Sequence, residues 1–250
     1  MTLFHAQAIT KSFGGLLALS KVDLVVSGGE FIALIGPNGA GKSTFLNVLT
    51  GLATPTSGKV LFDGDDVTRT PSYKRVRGGL SRTFQHGRLF PRLSVMENVM
   101  TGAAIAADRT ETQLRDAAMS LLERMGLAGT AEAGIGTLSY GQRRMVELCR
   151  ALACAPRLLL LDEPAAGLNS QEVDHLVDRL DALRAEQRFA VVLVEHNMGM
   201  VMRLAERIAV LNFGIKIADG PPAEIQADPA VLGAYLGHGY RHAGPYHADL

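Results

Sequence analysis

The sequence contains little of what marks a secreted or nucleic-acid-binding protein. Only two cysteines, Cys149 and Cys154, occur among 250 residues. That number excludes a disulfide framework and a cysteine zinc site, and predicts two reduced thiols in the core. The 25 basic and 25 acidic residues give a formal net charge of zero, so the chain lacks the basic excess by which proteins hold nucleic acids. We therefore expect no nucleic-acid partner.

Long apolar runs are also absent. The longest candidate, 158–161, is four leucines, against the roughly 18–20 residues that cross a bilayer. The segment 1–11 lacks a basic stretch followed by an apolar one, so no signal peptide is predicted. Apolar residues make up 47% of the chain and charged residues 20%, proportions typical of a folded domain. We expect such a chain to reach a membrane only through a partner.

The apolar pattern predicts an α/β body with a mixed β core. Short apolar or β-branched runs predict strands at 22–26, 31–35, 59–62, 158–161, 190–194, 208–211 and 215–218. Turn residues at 27–30, 63–64 and 212–214 indicate tight connections and antiparallel hairpins. Apolar residues at helical spacing over 170–187 lie between two buried strands, and this strand–helix–strand order predicts parallel strands.

The middle of the chain has helical periodicity at 94–107 and 112–125 and no strand pattern. We predict a helical subdomain at 86–155, inserted into an α/β body formed by 1–85 and 156–236. The stretch 237–250 mixes histidine and tyrosine with glycine and proline, which is typical of a flexible tail.

One glycine-rich motif carries the strongest functional signal. It follows the strand 31–35, opens a helical pattern at 44–49, and fits G-x-x-x-x-G-K-[ST] at every fixed position: Gly36, Pro37, Asn38, Gly39, Ala40, Gly41, Lys42 and Ser43. Glycines let backbone N–H groups surround a phosphate, and the helix N-terminus favours an anion. We predict that these residues and Thr44 bind ATP, with Lys42 at the β- and γ-phosphates and Ser43 on Mg²⁺.

A second signal follows the strand 158–161. This apolar strand ends in Asp162 and Glu163. Beside a phosphate loop, Asp162 is predicted to hold Mg²⁺ through its water shell. Glu163, one residue further, is predicted to accept a proton from the attacking water or to orient it. The two motifs together predict a nucleotide hydrolase.

Twenty residues before Asp162, the segment Leu138-Ser139-Tyr140-Gly141-Gln142 resembles the signature loop of ABC ATPases, which is commonly LSGGQ. Tyr140 stands where glycine is commoner. The resemblance implies that Ser139, Gly141 and Gln142 meet the γ-phosphate of an ATP held by a second subunit. Hydrolysis would then require two chains.

Further motifs resemble the same family, and the resemblance covers about residues 3–236. Gln85 resembles the glutamine that touches Mg²⁺ and the attacking water, and His196 resembles the switch histidine at the γ-phosphate. Phe13 resembles the aromatic residue that stacks on adenine, and 166–169 resembles the D-loop, with Asn169 where aspartate is commoner. The implied fold is an ABC-type P-loop NTPase.

Four stretches, 13–19, 82–90, 162–169 and 194–198, and the tail motif 235–237 resemble the ATPase subunits of branched-chain (hydrophobic) amino-acid importers. The likeness is closest to the longer of their two ATPase subunits. It implies a peripheral protein on the cytoplasmic face of the inner membrane. The implied partners are two permeases, a second ATPase subunit in a homo- or heterodimer and, indirectly, an external solute-binding protein.

The resemblance also implies a groove near 85–91 for a permease helix, with apolar contacts from Leu89, Phe90 and Leu93. These three residues could equally cap the local core. The sequence leaves the transported solute open.

Other functions stay possible at this level. Related ATPases serve importers of urea, amides and aromatic acids, or lipopolysaccharide exporters. ABC ATPases in translation and DNA repair generally carry two ATPase units, a long coiled coil or basic extensions, which this sequence lacks. A P-loop kinase or GTPase leaves 138–142 and His196 without a role.

Overall fold

The computed structural model describes residues 1–84, 89–106, 109–186 and 189–236. Short 3₁₀ turns at Ala128–Thr130 and Ile135–Thr137 accompany the main elements. In chain order the main elements are β1 (Thr2–Phe13), β2 (Leu16–Ser27), β3 (Phe31–Ile35), α1 (Lys42–Leu49), β4 (Ser57–Phe62), β5 (Asp65–Asp66), α2 (Ser72–Arg77), β6 (Leu80–Arg82), α3 (Val95–Ala106), α4 (Glu111–Arg124), α5 (Tyr140–Ala153), β7 (Leu158–Asp162), α6 (Ser170–Glu186), β8 (Ala190–Val194), α7 (Met198–Leu204), β9 (Arg207–Asn212), β10 (Ile215–Gly220), α8 (Pro222–Ala227) and α9 (Pro229–Leu236).

An antiparallel sheet in the order β2-β1-β4-β5 forms the N-terminal part. Strand β1 pairs with β2 on one side and β4 on the other, so that Phe4 lies opposite both Val26 and Phe62. The apolar pattern did not predict β1, and it predicted only 22–26 of the longer β2. Both strands alternate buried residues with partly or fully exposed ones along much of their length, a weaker signal than a continuous apolar run.

The second sheet has the order β10-β9-β3-β8-β7-β6 and is parallel except for β10. Every residue of β3, β7 and β8 is buried, because helices or the first sheet cover both faces. The predicted parallel pairing of 158–161 with 190–194 is confirmed. The carboxyl ends of β3, β7 and β8 therefore meet at one edge of this sheet.

Two of the predicted tight connections form hairpins, and the third does not. Strands β4 and β5 pair around 63–64, and β9 and β10 pair around 213–214, as predicted. The turn at 27–30 joins β2 to β3, but these strands belong to different sheets. That turn therefore carries the chain from one sheet to the other.

The predicted helices 94–107 and 112–125 are confirmed as α3 and α4, and both pack on α5. Helix α5 starts at Tyr140, inside the segment 138–142, because Ser139 and Gln142 form a capping box at its N-terminus. Cys149 and Cys154 are buried free thiols, as predicted, and burial raises the pKa of Cys149 to about 12. Among the described residues, no helix combines the length and apolarity needed to span a bilayer. The predicted tail 237–250 lies outside the described residues.

Helices α3 and α5 approach closely at Gly102, where an added Cβ would lie 2.1 Å from the carbonyl oxygen of Arg150. Because moving backbone atoms costs free energy, we expect Gly102→Ala to destabilise the chain by about 1–3 kcal/mol, as overpacking does. Chemical denaturation measures this change. Gly233→Ala is the matched control, because Gly233 is a helical glycine with open space around it. Equal stability of Gly102→Ala and the wild type would contradict the close packing.

Candidate functional site

A pocket of about 410 Å³ lies at the edge where the carboxyl ends of β3, β7 and β8 meet. Crevices at this edge are the usual ligand sites of open parallel sheets. The lining residues come from the β1–β2 tip, the phosphate loop, the residues after β7 and β8, and the β9–β10 turn: Phe13, Leu16, Leu17, Ala18, Asn38, Gly39, Ala40, Gly41, Lys42, Ser43, Thr44, Glu163, His196 and Phe213.

The glycine-rich loop is fixed by its neighbours on both sides. At Gly36 an added Cβ would lie 2.1 Å from the Leu211 carbonyl oxygen, and at Gly41 (φ +102°) it would lie 2.8 Å from the Ala18 oxygen. Gly41 also caps α1 without a side-chain hydrogen bond. The first-turn N–H groups and the helix dipole are therefore available to an anion at this end of α1.

Lys42 is buried inside the loop. Its Nζ donates to the carbonyl oxygens of Gly36, at 2.6 Å, and Pro37, at 3.0 Å. Burial lowers the pKa of Lys42, and the nearby charges of Glu163 and Asp162 oppose that shift. The fold thus keeps an ammonium group where the predicted β- and γ-phosphates lie.

Asp162 ends β7 with its side chain buried. Its Oδ2 accepts a hydrogen bond from Arg82 Nη2 at 2.7 Å, and both side chains are only 7% exposed. The Asp162 N–H donates to Thr83 Oγ1 at 3.3 Å. Arg82 of strand β6 therefore holds the carboxylate, and Thr83, the residue after that strand, holds the Asp162 backbone. Arg82 was not among the predicted site residues, because no local pattern shows a contact between residues 80 positions apart.

Glu163 has a left-handed backbone, with φ +49°. A non-glycine residue in this region carries strain, and such strain is found often at active sites. The Glu163 N–H donates to the Val194 carbonyl at 2.8 Å, and the side-chain Oε1 lies 3.2 Å from His196 Nε2. The two residues predicted to act on the attacking water and the γ-phosphate are thus direct neighbours.

A buried carboxylate, Glu195, shapes this part of the site. It accepts hydrogen bonds from the backbone N–H groups of Ala165 at 2.7 Å, His196 at 2.8 Å and Asn197 at 3.0 Å. The contacts tie the turn that carries His196 to the segment after Glu163. Sequence reasoning missed this role, although a charged residue directly after an apolar strand was a usable signal, as it was at Asp162.

Not all of the predicted site residues lie in one pocket. Phe13, the loop residues from Asn38 to Thr44, Glu163 and His196 line one pocket, while Gly36 and Pro37 contact Lys42 from within the loop. Phe13 is 52% exposed, and Lys11 Nζ lies 4.9 Å from its ring centroid. Ser139, Gly141 and Gln142 form the first turn of α5 and its cap, and are not among the described lining residues of this pocket. Gln85 lies outside the described residues.

The signature segment contacts the D-loop segment within the chain. Gly167 has φ +79°, and an added Cβ there would lie 2.9 Å from Tyr140 Cε1. The Arg144 guanidinium lies 5.4 Å from the centroid of the same ring. The tyrosine that replaces the commoner glycine therefore fills the space above Gly167.

The donors beside the loop suit a hard cation. The Ser43 hydroxyl and the Asp162 carboxylate would supply oxygen ligands, the type that Mg²⁺ prefers. The described part of the chain has no group of three or more His, Cys, Asp or Glu residues that could hold a metal ion. Mg²⁺ is commonly bound by one or two carboxylates together with substrate phosphates and water, so these residues fit the ion.

Comparison with known proteins decides the family. Residues 19–166, more than half of the chain, match the family described as "ABC transporter". The chain belongs to this family. It is accordingly a nucleotide-binding ABC ATPase. Residues 216–241 also match the family described as "Branched-chain amino acid ATP-binding cassette transporter".

Individual relatives agree with this ABC assignment. BraF of Pseudomonas aeruginosa, a high-affinity branched-chain amino acid transport ATP-binding protein, is 39% identical over 94% of this chain and 98% of its own. LivG of Escherichia coli, named likewise, is 38% identical with the same coverage. LptB of Haemophilus influenzae, a lipopolysaccharide export system ATP-binding protein, is 34% identical over 96% of this chain and 100% of its own.

Solved structures show that this ABC ATPase has the expected fold. A nucleotide-free ATP-binding cassette from an ABC transporter is 28% identical, with a TM-score of 0.85 over 95% of this chain and 100% of that one. The ADP conformation of MJ1267, another such cassette, is 29% identical, with a TM-score of 0.86 and the same coverage. The predicted fold, an α/β body with antiparallel hairpins and inserted helices, is confirmed.

Proposed function

We propose that this chain is the ATP-hydrolysing subunit that energises a branched-chain amino-acid importer. The observation that carries the proposal is the match of residues 216–241 to the branched-chain family, since this part lies outside the general ATPase match at 19–166. Relatives named for this transport are 38–39% identical, and a relative named for lipopolysaccharide export is 34% identical. The proposed location is peripheral, on the cytoplasmic face of the inner membrane.

In the proposed reaction, the loop N–H groups and Lys42 hold the ATP phosphates, and Phe13 stacks on the adenine. Ser43, Asp162 and Gln85 would hold Mg²⁺, which supplies charge neutralisation at the phosphates when it is bound. Glu163 takes a proton from the attacking water or orients it, and His196 contacts the γ-phosphate. The 3.2 Å distance between His196 and Glu163 supports their joint action.

We further propose that two ATPase chains enclose each ATP. Ser139, Gly141 and Gln142 stand at the N-terminus of α5, outside the pocket of their own chain, and so suit the γ-phosphate of an ATP in a partner. Closure of the two chains on ATP and their release after hydrolysis would make the nucleotide a ligand that biases two states. The partner is a second copy or a related ATPase.

A groove of about 510 Å³ between the α/β body and the helices α3 and α5 is the proposed docking site for a permease. Its lining includes Thr50, Leu80, Arg82, Phe84, Phe90 and Arg150, and we call it the docking groove. Leu89 packs against the core, and Leu93 is partly buried, whereas Phe90 is 50% exposed. Asn98 fixes the Phe90 backbone by hydrogen bonds of 2.8 and 3.1 Å. Of the three predicted contacts, Phe90 is thus the best presented to a partner.

We expect Phe90→Ala to reduce permease recovery with the tagged chain at least tenfold, because it removes the exposed apolar anchor of the groove. Quantitative mass spectrometry of complexes purified gently from native membranes measures recovery. Leu232→Ala is the control, since Leu232 is also exposed, at 47%, but lies on α9. Undiminished recovery would contradict the docking role of Phe90.

The same purification tests the proposed transport function. Two multi-span permeases and a second ATPase, together with loss of leucine uptake when the chain is deleted, would support the importer. Lipopolysaccharide-export components, ribosomes or DNA-repair proteins in their place would overturn it and leave the ATPase assignment intact.

A further inference from the structure

One buried arginine connects the docking groove with the residues proposed to hold Mg²⁺. Arg82 ends the edge strand β6, and it lines the groove beside Thr50 and Phe84. Its guanidinium lies 5.0 Å from the centroid of the Phe84 ring. On the other side, Nη2 donates to Asp162 Oδ2 at 2.7 Å. The Arg82 guanidinium therefore contacts a residue of the docking groove and a residue proposed to hold Mg²⁺.

Arg82 also contacts the helix that follows the phosphate loop. Its Nη1 donates to Asn47 Oδ1 at 2.8 Å and to Thr50 Oγ1 at 3.3 Å, and both acceptors lie at the C-terminal end of α1. These hydrogen bonds to α1 and to Asp162 fix the orientation of the Arg82 guanidinium. Its Nε is buried and has no hydrogen-bond partner among the described residues. A buried donor without a partner costs free energy, and this cost offsets part of the stability that the other hydrogen bonds of Arg82 contribute.

We propose that Arg82 is a positioning residue for Asp162. By binding Oδ2, it fixes the carboxylate rotamer and leaves Oδ1 as the oxygen presented to the metal's water shell. Because Arg82 also forms part of the groove wall, a permease helix seated there would lie beside the side chain that sets this geometry. The inference rests on the proposed role of Asp162 in holding Mg²⁺.

A buried ion pair that only fastens β6 to β7 is the competing explanation, and a metal-binding measurement separates the two. We expect Arg82→Lys and Arg82→Met to raise at least fivefold the Mn²⁺ concentration that half-saturates the complex of chain and ATP. Mn²⁺ replaces Mg²⁺ as the probe because electron paramagnetic resonance reports its free concentration. ATP affinity in EDTA should stay within twofold of the wild type. A purely structural pair would lower the melting temperature without changing Mn²⁺ binding.

Two variants are used because one of them can fail to fold. Arg82→Met leaves the buried Asp162 carboxylate without its cation, which can prevent folding. Arg82→Lys keeps a positive charge but lacks the planar guanidinium with its two Nη donors. Arg157→Met is the matched control, because Arg157 forms an exposed ion pair of the same length, 2.7 Å, with Asp63. Mn²⁺ binding by Arg82→Lys that is equal to or tighter than that of the wild type would overturn the inference.

Asp162→Asn separates failure of this inference from failure of the proposed metal site. If Asp162→Asn weakens Mn²⁺ binding and the Arg82 variants do not, the metal site stands and Arg82 has no positioning role. If Asp162→Asn leaves Mn²⁺ binding unchanged, the proposed metal role of Asp162 fails, and the inference about Arg82 fails with it.

Discussion

Replacing Glu163 with glutamine should reduce ATP turnover by about a hundredfold or more while ATP still binds, since general acid–base catalysis contributes about 10²–10⁴. Glutamine has nearly the same shape as glutamate but cannot accept a proton from water at neutral pH. Its amide can still contact His196, whose Nε2 lies 3.2 Å from Glu163 Oε1. The pocket should therefore keep its shape and lose its proton acceptor.

Steady-state phosphate release measures turnover, and calorimetry measures ATP affinity. Glu111→Gln is the matched control, because it makes the same chemical change on the exposed first turn of α4. Turnover of Glu163→Gln near the wild-type rate would show that another group activates the water. Loss of ATP binding as well as turnover would mean that Glu163 supports the pocket rather than the chemistry.

The phosphate loop was predictable because its information is local. Strand β3, the glycine-rich turn and α1 follow one another within 31–49, and the conformation that the glycines permit is what a phosphate needs. The parallel strands β7 and β8 were predictable for a similar reason, because a strand buried on both faces has an unbroken run of apolar residues in its sequence.

Contacts between distant segments were not predictable. Arg82 and Asp162, which form a hydrogen bond, are 80 residues apart in the sequence, and Glu195 and Ala165 are 30 apart. No spacing pattern in the sequence predicts either contact. Strand β1 was missed because much of it alternates buried residues with partly or fully exposed ones and has no strong apolar run. The roles proposed for Ser139, Gly141 and Gln142 involve a second chain, so neither the local pattern nor the geometry of one chain determines them.

Lys42→Ala should weaken ATP binding by about 1.5–3 kcal/mol, the usual contribution of a hydrogen bond to a charged group, or roughly 10- to 150-fold in Kd. The ammonium already lies inside the loop, 2.6 Å from the Gly36 oxygen and 3.0 Å from the Pro37 oxygen. Little reorganisation is then needed to meet a phosphate. Lys59→Ala is the control, since Lys59 is an exposed lysine with a weak 3.9 Å ion pair to Asp66. Equal ATP affinity of Lys42→Ala and the wild type in calorimetry would contradict the proposed role of Lys42 in binding the phosphates.

The pH dependence of ATP affinity gives a second measurement on the same side chain. Burial lowers the pKa of Lys42 in the free chain, and a bound triphosphate, being anionic, raises it again. Binding at a pH above the free-chain pKa therefore takes up a proton, and affinity should fall by up to about tenfold per pH unit there. Below that pKa, Lys42 is charged in both states and contributes no slope. Calorimetry across alkaline pH should show this decline in the wild type and its loss in Lys42→Ala. The same slope in both proteins would assign the proton to another group.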